Sequence, residues 1–503
     1  MATTAPSRQT GAAPYRWRWV ALFVVLAAEI MDVLDSTVVN IAAPSIRRSM
    51  GTGYTTIQWI TAGYTLAMAV GLITGGRLGD IVGRRRMFML GAAGFVAGSL
   101  LCAVAQSPDM LIASRVLQGA FGAVMIPQGL GIIKGIFPAS ELAAAFSAFG
   151  PVIGLAAVAG PLVAGALIDA DPFGTGWRMI FLINLPLGLL ALAGAARFFP
   201  ESKSGRSPRL DLPGMLLATG GAVLLVYPLV QGRDAGWPAW TWVSMAAALP
   251  VFAAFAAYER RTERSGGSPL VEPSVFRQRA FSGGLVVCAA FFAAMSGFML
   301  VFSVFVQVGL GWVPMRAGLA AAPWALGIAI GSAAAGAVLA QKFGRRVLHA
   351  GLLVMTAGLA GLYLVVGHFG LRASLWDFAP VNLVTGIGMG LLVAPMFDII
   401  LAGVEGHEVG SASGVLNAVQ QLGSSIGVAL LGTVFFDRLA ATRGQQFTGA
   451  LHLTIWVAAA LYVVTFASAF LLPHRARPVH PEEQQAAPQV SDADPVNVGA
   501  SES

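Results

Sequence analysis

WVALFVVLAAEIMDVLDSTVVNI, residues Trp19 to Ile41, is long and apolar enough to span a bilayer, yet it holds three carboxylates. About 20 residues at 1.5 Å each cover a hydrocarbon core of about 30 Å. Glu29, Asp32 and Asp35 are spaced by three, so each lies about 60° round the helix from the last and all share one arc. Counted from Trp19, Glu29 sits roughly 15 Å in, near the midplane, and Asp35 roughly 24 Å in. An ionised acid at such depth costs about 2.5–3.5 kcal/mol or more, so the arc must face protein or water. A structural polar seam is the alternative reading, but three acids exceed what packing needs, and intramembrane ionisable groups mark pathways.

Working outward, the 503 residues are 56% hydrophobic and 11% charged, more apolar surface than a soluble fold can hide. The composition predicts an all-α polytopic membrane protein. Its net charge of +7 is spread between apolar runs rather than gathered in one patch, which argues for topology signals and against nucleic acid. Cys102 and Cys288 both lie inside apolar runs, leaving no disulfide framework or metal spacing. The polar start, MATTAPSRQTGAAPYRWR, has no small-residue cleavage site after it, so the first helix is expected to stay uncleaved.

Apolar runs bounded by charge, Pro or Gly predict helices at 19–41, 54–76, 87–106, 109–134, 141–168, 177–199, 211–231 and 239–258. Six more are expected at 282–306, 317–340, 347–367, 376–402, 410–435 and 449–472. An even number puts both termini on one face. Of the 31 Lys and Arg, only Arg47, Arg48, Arg233, Arg316, Arg372, Arg438 and Arg443 fall on the other face, so the termini are expected in the cytoplasm, across the cell membrane. The expected domains are a tail (1–18), a six-helix bundle (19–199), two extra helices with basic linkers (200–281), a second bundle (282–472) and a disordered tail (473–503).

Four further stretches carry signals. Gly75 to Met87, GGRLGDIVGRRRM, puts an aspartate, a glycine turn and three arginines at a helix end, and QKFGRRV (Gln341 to Val347) echoes it. Aligning Gly83 with Gly344 predicts two halves of similar plan, as in secondary transporters. In LIASRVLQGAFGA (Leu111 to Ala123), Arg115 lies about 8 Å below the outer surface and Asp35 about 6 Å below it, so the two depths predict a contact. FGPVIGLAAVAGPLVAGAL (Phe149 to Leu167) combines Gly150–Pro151, Gly154, Gly160–Pro161 and Gly165, which permit bending and close backbone contact. In the second half, Asp398 is the one acid deep in a helix, a carboxylate of the pocket or of the nearby cytoplasmic edge, and Met295, Phe298, Met299, Phe302, Trp324, Met389 and Met396 are candidates to line an adaptable apolar cavity.

These motifs resemble the major facilitator superfamily, specifically its fourteen-helix drug:proton antiporter branch. LDSTVVNIAAPSI (Leu34 to Ile46) is similar to that branch's first-helix motif, with Ala43 where Leu is usual. Gly76, Asp80, Gly83, Arg84 and Arg85 match the superfamily's loop signature; Arg115, Gln118 and Gly119 match its helix 4 motif. Gly160, Pro161 and Gly165 match the antiporter motif, although Ala164 replaces one glycine. WRMIFLINLPLG (Trp177 to Gly188) and SASGVLNAVQQLGSSIGVALLG (Ser411 to Gly432) resemble the branch's helix 6 opening and penultimate helix. The resemblance implies proton-coupled export of small amphipathic, often cationic, drugs or antibiotics by alternating access. Glu29 and Asp32 lie outside the shared motif, so it gives them no role.

The expected proton-coupling set is therefore Asp35, Arg115, Asp32 and Glu29. The expected substrate contacts are Glu29, Asp32, Asp398, Phe298, Phe302, Trp324 and Met389. No cofactor is expected: GxxxxGK[ST] is absent and the lysines are Lys134, Lys203 and Lys342, leaving the proton gradient as the energy source. Expected partners are the small-molecule substrate, protons and the lipid bilayer, with the chain acting as a monomer. A facilitator or symporter for a metabolite, or a receptor on the same fold, is the alternative. An enzyme is disfavoured because His349, His368, His407 and His452 are scattered without ligand spacing.

Overall fold

The structure, a computed structural model, describes residues 15–474 except 139–140, 143, 146–147, 203–209, 268, 402–403, 405–408 and 443–445. The expected tails and His407 lie largely or wholly outside the described residues, and of Gly150, Pro151 and Gly154 only the helical backbone is described. Among the described residues all regular elements are helical, fourteen of them α-helices of 15 residues or more. In chain order they are α1 (Arg18–Met50), α2 (Tyr54–Val82), α3 (Arg84–Ala103), α4 (Pro108–Ile136), α5 (Phe149–Ala170), α6 (Asn184–Phe198), α7 (Leu212–Gln231) and α8 (Ala239–Arg264). Then follow α9 (Arg279–Val304), α10 (Pro314–Ala334), α11 (Arg346–Phe369), α12 (Leu375–Leu401), α13 (Val409–Ala441) and α14 (Phe447–Ala469). Among the described residues, 12 helices are long and apolar enough to cross a membrane. Outside that number stand α1, with its three acids, and α5, whose apolar stretch Ala159–Ala170 is shorter.

The first helix is longer than expected. It passes Ile41 and Pro44 and ends at Met50, where Gly51 turns the chain at φ 61°. Proline has no N–H, so Pro44 leaves the carbonyl of Asn40 without its helical donor. Ser303 of α9 supplies one, its hydroxyl donating to Asn40 O at 2.6 Å, and Gln307 donates to the neighbouring Ile41 O at 2.9 Å. The same device joins α7 to α8: Pro228 frees Leu224 O, and Ser244 donates to it at 3.0 Å. Asp35 is consequently near the middle of a 33-residue helix, not close to its end.

Two sets of helices carry corresponding contacts. Gly83 and Gly344 each turn the chain at positive φ (121° and 53°). The next residue's N–H then reaches the segment that follows the last helix of its own set, Arg84 N to Ser202 O and Arg345 N to His474 O, each at 3.0 Å. Packing between α2 and α4 is matched by that between α10 and α12, where Gly327, Gly331, Gly386 and Gly390 bring backbones into contact. The extra helix α7 rests on α2 and α13, while α8 packs on α7 and leaves most of its surface outward.

Candidate functional site

Asp35 is fully buried, and three side-chain donors converge on its two oxygens. Arg115 Nη1 donates to Oδ2 at 2.5 Å, while Gln118 Nε2 and Asn184 Nδ2 donate to Oδ1 at 2.9 and 2.7 Å. Three donors and no acceptor is the pattern of an ionised carboxylate. The surroundings fix this set. Ser99 Oγ accepts from Gln118 and Asn184, Gln118 Oε1 accepts from Arg115 at 2.7 Å, and Arg115 Nε donates to Ile60 O at 3.2 Å. The guanidinium lies 4.1 Å from the Tyr64 ring centroid, so its charge is met by an anion, a carbonyl and a π face.

The contact anticipated from sequence depth is thus present, although the depths were measured on too short a first helix. Of the other two acids, Asp32 is half-buried and accepts a hydrogen bond from the Tyr64 hydroxyl, linking it through that ring to Arg115. Glu29 is buried and has no hydrogen-bond partner among the described residues. Sequence reasoning named Asp35, Arg115 and Gln118 but missed Asn184, Ser99 and Tyr64. A lone amide in the apolar opening of the sixth helix was a usable signal for Asn184; Ser99 and Tyr64 gave none.

Among the described residues, most hydrogen bonds between the α1–α6 set and the α9–α14 set gather on one side, although Gln421 also donates to Met68 Sδ near mid-depth. Gln58 Nε2 donates to Val428 O and Ala429 O (3.2 and 3.0 Å), Ser425 donates to Ala62 O (3.1 Å), and Met315 N donates to Asp169 Oδ2 (2.8 Å). With the Ser303 and Gln307 bonds, these lie in the halves of the helices remote from the termini. The molecule is closed on that face. The α5 motif belongs to the same seal: Gly160 meets Thr37 of α1, Pro161 O meets Gly318, and Gly165 would place a Cβ 2.6 Å from Met315 Cα.

Within α9–α14, Phe298, Phe302, Trp324 and Met389 line one cavity of about 40 Å³ together with Asn382 and Tyr462. Met295 and Met299 also line it; Met396 is buried elsewhere. That volume holds water, not a drug, so a larger ligand needs the walls to part. Asp398 does not join them: it is exposed in the final turn of α12, nine residues past Met389. At the loop signature, Asp80 pairs with Arg84 at 2.9 Å, Arg85 Nη2 donates to Ala196 O at 2.5 Å, and Arg86 faces Glu201 at 3.5 Å. The loop thereby joins α2 and α3 to the end of α6. No group of three His, Cys, Asp or Glu among the described residues could hold a metal.

Apolar helices enclosing a buried ion pair, in two sets with matched contacts, define a multi-pass membrane protein of the transporter class. The chain belongs to the Major Facilitator Superfamily, whose profile matches residues 25–428. It is 53% identical to a probable actinorhodin transporter of Streptomyces coelicolor, over 88% of this chain and 76% of that one. It is 36% identical to the puromycin resistance protein pur8 of Streptomyces alboniger, over 84% and 83% of the two chains. Among solved structures, a POT family transporter in complex with a thioalcohol-conjugated peptide superposes with a TM-score of 0.66 at 16% identity, covering 90% of this chain and 95% of that one. That likeness concerns the fold. The protein is a transporter of small molecules and not an enzyme.

Proposed function

We propose that the chain exports an antibiotic-like, amphipathic and often cationic compound in exchange for protons, crossing the cell membrane fourteen times with both termini in the cytoplasm. In this reading residues 19–199 and 282–472 are the moving halves, residues 200–281 hold the additional pair, and one chain suffices. The names of the antibiotic relatives support the substrate class. Asp35 carries the mechanism: a buried carboxylate held by Arg115 beneath the closed face. With the termini cytoplasmic, this structure corresponds to the inward-facing form, with Asp35 held by Arg115, Gln118 and Asn184.

Protonation at the outer face would remove the charge that Arg115 binds and one of the acceptors that Gln118 and Asn184 share. The set then rearranges, and the freed guanidinium repels a cationic substrate. Proton and cation exclude each other, which is antiport by linkage. Glu29 and Asp32 line the way from the open face and select cations, while Phe298, Phe302, Trp324 and Met389 take the apolar part of the ligand. Asp398 can meet a substrate only at the cytoplasmic edge. The gradient alone drives the cycle, because no cofactor is required by these steps.

The test uses proteoliposomes with an imposed pH gradient. Asp35→Asn, neutral like the protonated form, should fold, bind a cationic compound more weakly than a neutral analogue, exchange the analogue downhill and lose uphill accumulation of both. Accumulation at the wild-type level by Asp35→Asn would move the proton site to Asp32 or Glu29.

A further inference from the structure

Beyond α8 the chain turns back along residues 269–277 before entering α9, and two carboxylates hold this strap. Asp211 accepts from Leu270 N at 3.1 Å, from Gly214 N at 2.9 Å and from the Tyr258 hydroxyl at 3.0 Å. Glu259, only 2% exposed, accepts from Val271 N at 3.1 Å. With one side of the strap fixed, its other side and the end of α8 form a groove. Arg260 and Arg264, one turn apart, and Arg277 line a cavity of about 320 Å³ with Glu263, Pro273 and Phe276. All three arginines are exposed, and among the described residues none has an ion-pair partner within 4.0 Å.

Three guanidinium groups against one carboxylate leave the groove strongly positive. Its position decides what neutralises it. Only 11% of the apolar window of α8 is buried in the protein, so the flank leading to these arginines faces lipid, and Phe276 is 40% exposed beside them. We propose that this groove binds the phosphate headgroup of an anionic membrane lipid. Forked guanidinium N–H groups match phosphate oxygens, Glu263 accepts from a headgroup hydroxyl, and an acyl chain runs past Phe276 along α8. The volume is that of a small-molecule site. A bound lipid would fasten the extra helix pair to the entrance of α9. The inference rests on the membrane-spanning fold alone and is independent of the substrate and of proton coupling.

The purified full-length protein in neutral detergent is titrated with phosphatidylglycerol, phosphatidylcholine and inorganic phosphate, and bound ligand is counted by native mass spectrometry. Phosphatidylglycerol should bind on the order of a hundredfold more tightly than phosphatidylcholine, since three basic groups act together. Arg260→Gln/Arg264→Gln/Arg277→Gln should erase that preference, while Arg48→Gln/Arg372→Gln, at the opposite ends of the helices, keeps it. The single variants Arg264→Gln and Arg277→Gln should each lower it about fivefold, which covers failure of the triple variant to fold. Equal binding of the two lipids, or an undiminished preference in the arginine variants, overturns the proposal. Inorganic phosphate binding as tightly as phosphatidylglycerol also overturns it, because the ligand would then be a free anion.

Discussion

Asp35 receives its hydrogen bonds from two other helices, so it ties α1, α4 and α6 together besides the proton role proposed for it. Removing one donor shows the first role without abolishing the second. Asn184→Leu leaves a fully buried carboxylate one donor short, which costs about 1–3 kcal/mol. A lower melting temperature in detergent, with Arg115 still in place, is the expected result; an unchanged melt would mean that Asn184 contributes nothing net. Glu29 makes the opposite case, a buried acid without a described partner. Glu29→Gln should impair export of cations more than of neutral compounds in the same vesicles, and equal loss for both would assign it a structural or proton role. The acids and Arg115 were legible in the sequence because a charge in an apolar run is conspicuous. Tyr64 and Ser99 were not, because membrane helices hold many such residues that only pack.

Among the elements, α1 departs most from its sequence reading. A proline after an apolar run reads as a stop, but here the helix continues because a partner from α9 satisfies the carbonyl that Pro44 exposes. That partner sits 263 residues away in sequence, where no local pattern can reveal it. Pro44→Ala restores the helical N–H, which then competes with Ser303 for Asn40 O. It should loosen the closed face and raise labelling of a cysteine placed at Met315 by a membrane-impermeant reagent; lower labelling would contradict the docking role. Gly165→Leu forces α5 from Met315 and should act in the same direction, at a cost of about 1–3 kcal/mol to the closed form. The loop signature works at the other end. Asp80→Asn loosens its pairing with Arg84 and should slow turnover several-fold while leaving substrate affinity nearly intact, as measured by equilibrium binding beside transport.

At the scale of the molecule, alternating apolar runs and the GRR echo were enough to anticipate an all-helical fold with two similar halves. They could not reveal which face is closed, since that depends on pairings between distant helices. The correspondence of the halves also extends to a place where they differ. Arg115, seven residues into α4, donates to Ile60 O of α2; Asn382, seven residues into α12, donates to Ala320 O of α10 at 2.8 Å. The same position therefore holds a cation in one half and a neutral amide, beside an apolar cavity, in the other. Under the proposed function, two matched halves that divide their labour in this way can diversify unevenly. On the proposed roles, mutations around Asn382 change which compound is recognised without touching the proton site, so new cargoes arise in a lineage while its energetics stay constant. A hybrid that joins residues 1–278 of this chain to the last six helices of a relative should inherit the relative's preference among antibiotics and keep its own response to pH.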